Sequence, residues 1–178
     1  MGINIEPIIS DDEILVRGLV HPLFAKNNKM DRNALLPPAE KCDVSVLRLN
    51  YTNLSFCKKH TKALKIGANN YWGLGAFKNI HISTINISNE VELKAILICS
   101  PIDESSKYIE DISQVTTDTL GLPMHADLRY SEPVPQKGNP ATKHRKYAQA
   151  LLKLSTFQKD EEPDSENWNM GKLYFETK

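Results

Sequence analysis

Short runs of apolar residues, broken by polar and proline-containing segments, predict more strands than helices along this chain. Ile14-Leu-Val-Arg-Gly-Leu-Val20 is rich in strand formers with one charge inside it, and Pro22 ends the run after His21. Asp43 to Leu49, with Val44, Val46 and Leu49 apolar, predicts a second strand that carries Ser45. Ile80 to Ile87 and Val91 to Ser100 flank Ser88-Asn89-Glu90 and predict an antiparallel hairpin that Pro101 stops. After Pro123, strict alternation sets His125, Asp127 and Arg129 on one strand face and Met124, Ala126, Leu128 and Tyr130 on the other.

Three segments show helical spacing. Asn53 to Leu64 places Leu54, Phe56, Cys57, Ala63 and Leu64 among Lys58, Lys59 and Lys62, which are expected to face water; Asn53 or Thr52 serves as the cap and Gly67 as the end. Tyr108, Ile109, Ile112, Val115 and Leu120 predict a helix from about Ser105, terminated by Gly121. Asn139-Pro140 is a helix start, with Asn as cap and Pro at the first helical position, leading to a packed face of Ala141, Ala148, Leu151, Leu152 and Leu154. Between these elements, Ala25 to Lys41 is a long polar loop, expected to be mobile and suited to cover a site as a flap. Gly73 and Gly75 form a bare Gly-x-Gly without the third glycine or the strand-helix context of a dinucleotide fingerprint, so they indicate bending or close backbone packing beside Trp72. Together the elements predict an α+β fold: a single antiparallel or mixed sheet of about five strands with two or three flanking helices. Residues 1–158 are expected to form one globular domain, and 159–178 an acidic, mobile C-terminal tail.

Composition narrows the classes. The chain has 178 residues, enough for one domain with a core, and its 22 Lys plus Arg balance 22 Asp plus Glu. No global field therefore selects a polyanion, and any electrostatic preference must be local. There is no long apolar run and no leader-like start, so a cytoplasmic location without a membrane role is expected. Cys42, Cys57 and Cys99 are an odd set that fits free thiols in a reducing compartment. Cys57-Lys-Lys-His60 has the spacing of half a zinc knuckle, but a matching second pair is missing, so no metal and no cofactor are expected.

Candidate chemistry gathers around two places. Lys143-His-Arg-Lys146 lies in the first turns of the last helix, where cations oppose the helix dipole unless an anion is present. With Lys137 and Arg129 these residues, Lys143, His144, Arg145 and Lys146, form a candidate anion-binding set for a nucleic acid, a nucleotide or an acidic protein. The competing expectation is that the five acids between Asp160 and Glu166 fold back over them. The second place is the His125, Asp127 and Arg129 face: with Arg17 and His21 it carries the groups of a metal-independent nuclease or phosphotransferase, His125 or His21 as general acid or base, Asp127 orienting, and Arg17 and Arg129 holding a phosphodiester. The alternative to chemistry here is a half-exposed strand with a polar outer face. Ser45 lacks a nucleophile elbow and is expected to be a hydrogen-bonding strand residue.

Two resemblances bear on function. Arg17, Ser83-Thr84 and Glu90-x-Glu92 loosely resemble the Arg, Ser-Thr-Ser, Glu-x-Glu order of mono-ADP-ribosyltransferases, although the second serine is absent and only five residues separate Thr84 from Glu90. Arg17-Gly-Leu-Val-His21-Pro22, Asp43-Val-Ser45-Val and Pro123-Met-His125-Ala-Asp127 resemble a pattern of uncharacterised small bacterial proteins, spanning Ile14 to Leu152. That resemblance implies no activity, fold or cofactor; it draws attention to Arg17, His21, Ser45 and His125. It also suggests an accessory or interaction protein of a bacterial multi-component system such as phage defence. The partner, protein or nucleic acid, and the oligomeric state stay open.

Overall fold

The computed structural model describes residues 2–64, 70–136 and 140–175 and has an α+β fold. Its strands are β1 (Ile14–His21), β2 (Ala25–Lys26), β3 (Lys29–Met30), β4 (Asp43–Arg48), β5 (Asn70–Lys78), β6 (Ala95–Cys99), β7 (His125–Tyr130) and β8 (Thr156–Lys159). The α-helices are α1 (Leu54–Ala63), α2 (Asn79–Ile87) and α3 (Thr142–Leu154). Six strands form one antiparallel sheet in the order β6-β7-β4-β1-β5-β8, while β2 and β3 make a separate short hairpin.

Both faces of the sheet are covered. On one, Ile82 and Ile85 of α2 and Tyr147, Ala148 and Leu151 of α3 pack with Leu15, Leu19, Val44, Val46, Phe77, Ala126 and Leu128. On the other, Cys57 of α1 packs with Val16, Leu47, Leu74 and Ala76. Strands buried from both sides read as continuous apolar runs, which is why β1 was conspicuous in the sequence. Two glycines let the layers approach. A Cβ on Gly18 would lie 2.0 Å from Thr61 Oγ1 of α1, and one on Gly75 would lie 2.7 Å from Met30 Sδ. The Gly-x-Gly stretch is thus part of strand β5, paired with β1 from Ile14–Lys78 to His21–Asn70, and its glycines serve close packing.

Several expectations need correction. Ile80 to Ile87 is α2 rather than half of a hairpin: the buried residues Ile82 and Ile85 are three apart, the helical spacing, while Ile80 and Ile87 are exposed. Ser83 and Thr84 therefore sit on a helix, where the transferase-like order needs a strand. The expected helix after Ser105 is absent; the segment holds only the 3-10 turn Ile112–Gln114. Asp103 Oδ1 accepts from the amides of Ser105 and Lys107, and Ser106 adopts φ 63°, so local side-chain bonding wins over helix formation. The last helix begins at Thr142 with Ala141 as its cap, and Asn139, the expected cap, lies outside the described residues, as does Gly67.

The acidic C-terminal stretch runs against α1, with Asp160 and Leu173 buried and most of 161–172 exposed. The boundary expected at 158 falls inside β8, and Asp160 is buried against Lys58, Nζ to Oδ2 2.7 Å. Lys58 Nζ also donates to the carbonyls of Glu162 and Asn167, Lys59 pairs with Glu166, and Lys62 donates to the Pro163 carbonyl. Of the three lysines expected in water, Lys59 and Lys62 are exposed and Lys58 is fully buried, and all three hold residues 160–167.

Candidate functional site

Strands β1 and β4 pair only at Leu15–Arg48 and Val16–Leu47. Beyond that point Arg17 substitutes for ladder bonds: its Nη1 donates to the Ser45 carbonyl at 2.8 Å and its Nε to the Ala34 carbonyl at 3.1 Å. Ala34 belongs to the 3-10 turn Arg32–Leu35 in the long polar loop, so that loop is anchored over the sheet by Arg17. The guanidinium also lies 4.8 Å from the Phe24 ring centroid. No described carboxylate forms a salt bridge with Arg17, and burial lowers it to about 10.

Arg17 forms a wall of two cavities. The smaller, about 40 Å³, is a crevice lined also by Ser45, Thr61, His60 of α1 and His125 of β7. The larger, about 450 Å³, is a groove lined by Leu23, Phe24, Leu36, Pro37, Pro38, Val44 and Pro140, with Arg17, Asn33, Asp43 and Ser45 as its polar groups. The polar loop thus does form one side of a cavity. The alternation read in the sequence also places His125, Asp127 and Arg129 on the α1 face, opposite Leu47, Ser45 and Asp43 of β4.

His125 Nδ1 lies 2.8 Å from the Ser100 carbonyl, which accepts only, so this nitrogen carries the proton. Its Nε2 faces Asp127 Oδ1 at 3.8 Å, beyond hydrogen-bond reach, and that buried oxygen has no partner among the described residues. Asp127 Oδ2 accepts from the Tyr108 hydroxyl at 3.1 Å. Burial pulls His125 below the usual histidine range, and Arg17 adds to this, while Asp127 opposes it. His60 is also lowered, first by burial and then by His125 and Arg17. Both imidazoles are therefore neutral near pH 7 and face a cation.

Other candidate residues lie apart. His21 is exposed at the end of β1 beside Asn70 of β5, and it does not line the crevice. His60, which the sequence offered only as half of a zinc knuckle, stands there instead. Its partner in that motif, Cys57, is buried in the core with its thiol pushed up to about 12, and no group of three metal-ligating side chains occurs among the described residues. Arg129 is paired with Asp43 through Nε at 2.6 Å and Nη2 at 3.1 Å. Among the described residues the Ser45 hydroxyl makes no hydrogen bond to His125 or His60, and Ser45 enters the hydrogen-bond network through its carbonyl, which accepts from Arg17.

The basic helix start divides as well. Lys143 pairs with Glu132, and His144 is fully buried against Tyr130 with Nε2 3.0 Å from the Glu132 carbonyl. Lys137 lies outside the described residues. Arg145 and Lys146, with Thr142, Gln149 and Arg32, line a shallow groove of about 280 Å³. A second hollow, lined by Lys26, Asp31, Arg32, Asn33 and Gln149, adjoins it. Among the described residues Arg32, Arg145 and Lys146 form no salt bridge with a carboxylate. The helix start has neither an acid in its first turn nor a side-chain cap. Sequence reasoning missed Arg32, whose only signal was its place in a loop long enough to be functional.

Comparison with known proteins finds no matching family, no matching curated protein and no matching solved structure. No helix is long and apolar enough to cross a membrane among the described residues.

Proposed function

We propose that the protein is an interaction module that binds an acidic segment of a partner protein along the groove between the Arg32–Leu35 turn and the start of α3. The observation that carries this reading is the cluster of Arg32, Arg145 and Lys146 on one groove without carboxylate partners among the described residues. Of the five acids between Asp160 and Glu166 that were the competing candidates to cover the basic helix, Asp160 and Glu166 pair with lysines of α1, on the other face of the sheet. Cations at a helix start oppose the dipole, and an anion in the groove relieves that opposition. The groove's lining contains no aromatic side chain on which bases could stack, which favours carboxylates of a protein over single-stranded nucleic acid.

Fluorescence anisotropy with a labelled Asp/Glu-rich peptide, over about 50 to about 300 mM salt, tests the reading. Wild-type protein should bind the peptide with an affinity that falls with salt. The triple variant Arg32→Gln, Arg145→Gln, Lys146→Gln should lose about tenfold, since three partly exposed charge contacts are worth roughly 0.2–1 kcal/mol each. Failure of the wild type to bind at low salt overturns the proposal. Binding of an oligonucleotide in place of the peptide replaces the partner class with nucleic acid.

A further inference from the structure

We propose that the groove over Arg17 is a binding site for a small amphiphilic anion, its apolar body lying against Leu23, Phe24, Leu36, Pro37, Pro38, Val44 and Pro140, and its anionic head meeting the Arg17 guanidinium. The site shares only Asn33 with the hollows beside Arg32, Arg145 and Lys146, and it differs from them in chemistry. Its volume of about 450 Å³ falls within the range of small-molecule pockets, about 300–1,000 Å³. Its lining has the composition of such pockets too, mostly apolar with a few convergent polar groups.

Charge decides the class of ligand. Of the two ionisable side chains in the lining, Asp43 is already engaged by Arg129 through two hydrogen bonds. Among the described residues Arg17 is held by carbonyls and a ring: Ala34 O, Ser45 O and Phe24. A half-buried guanidinium without a described carboxylate leaves a net positive charge in the lining of a mostly apolar groove. One carboxylate or phosphate answers that charge, with Asn33 and Ser45 as further polar residues of the lining. A ligand without a charge would leave the guanidinium as desolvated as before, and one without an apolar body would leave the proline and leucine walls wet.

The crevice behind Arg17 provides an internal reporter. His60 and His125 are both held below the ordinary histidine range in part by the Arg17 charge. An anion bound on Arg17 cancels part of that field, so ligand binding must raise the titration midpoints of both imidazoles. A merely hydrophobic adsorbate does not move them.

The test uses sodium decanoate, decanol and inorganic phosphate on the full chain. Calorimetry should show decanoate binding at least tenfold more tightly than decanol, with phosphate alone weaker than decanoate. NMR titration should show the His60 and His125 midpoints rising in decanoate and staying in place in decanol. Arg17→Gln should lose at least tenfold in decanoate affinity, with Arg17→Lys in between. Because Arg17 also anchors Ala34 and Ser45, each variant's fold is checked by circular dichroism, and the imidazole titration in wild-type protein stands independently of them. Equal binding of decanoate and decanol, no binding of decanoate at about 1 mM, or unmoved histidine midpoints on saturation each overturn the proposal. Arg32→Gln, Arg145→Gln, Lys146→Gln should leave decanoate affinity unchanged, which separates this site from the acidic-segment groove.

Discussion

Lys58→Met tests how the C-terminal stretch is held. Lys58 and the Asp160 side chain are both fully buried, 2.7 Å apart. Asp160 also accepts from the Tyr71 hydroxyl at 3.0 Å and from the Glu162 amide at 2.9 Å. Burial works against the charged Asp160 carboxylate, and the bonds from Lys58, Glu162 and Tyr71 outweigh it, holding the group below the usual carboxylate range. Removing the ammonium leaves that carboxylate buried without its counter-charge, and breaking one side of a buried pair costs about 3–5 kcal/mol. For a chain of this length each kcal/mol moves Tm by about 2–4 °C, so the loss should be roughly 6–20 °C. Lys58 also holds the Glu162 and Asn167 carbonyls, so residues 160–167 should become open to protease in the folded variant. The double variant Lys58→Met, Asp160→Asn removes both charges and should lose markedly less than Lys58→Met alone. Urea unfolding of wild type, both single variants and the double variant gives the coupling. A cost under about 1 kcal/mol for Lys58→Met, with no new cleavage near Glu162, would refute the reasoning, because it would mean that the pair is solvated and the segment is held by something else.

Two further outcomes follow from burial and packing. His60, His81 and His125 are all lowered in the folded protein, burial being the first cause for each, so the unfolded chain binds more protons as pH falls through about 6.5. Stability should therefore decline on acidification from about pH 7 to about pH 5, and a urea midpoint that rises or holds constant over that window contradicts the assignment. Gly18→Ala drives a methyl into Thr61 at 2.0 Å and should cost about 1–3 kcal/mol, read as a lowered Tm with an unchanged far-ultraviolet spectrum; an unshifted melt would show that α1 yields freely.

The sequence determined what depends on neighbours along the chain. The runs of β1 and β4, the alternation of β7 and the Asn53 cap of α1, whose side chain accepts from the Phe56 amide, are local properties, and the structure has each of them. The α+β class followed from the same patterns. What only the tertiary structure decided falls into two kinds. Segments of ambiguous period, Ile80 to Ile87 and Ser105 to Leu120, were settled by which residues are buried and by a side chain competing for backbone amides. Charges were settled by their distant partners. Lys58 and Asp160 are 102 positions apart in number and in contact in space, Arg129 is occupied by Asp43, and Lys143 by Glu132, so none was visible as paired from its own stretch. Arg17 and His125 meet through the gap where β1 and β4 stop pairing, and His60 joins them because Gly18 lets α1 approach closely. A site of this kind depends on register and layer spacing, which periodicity along one strand does not encode.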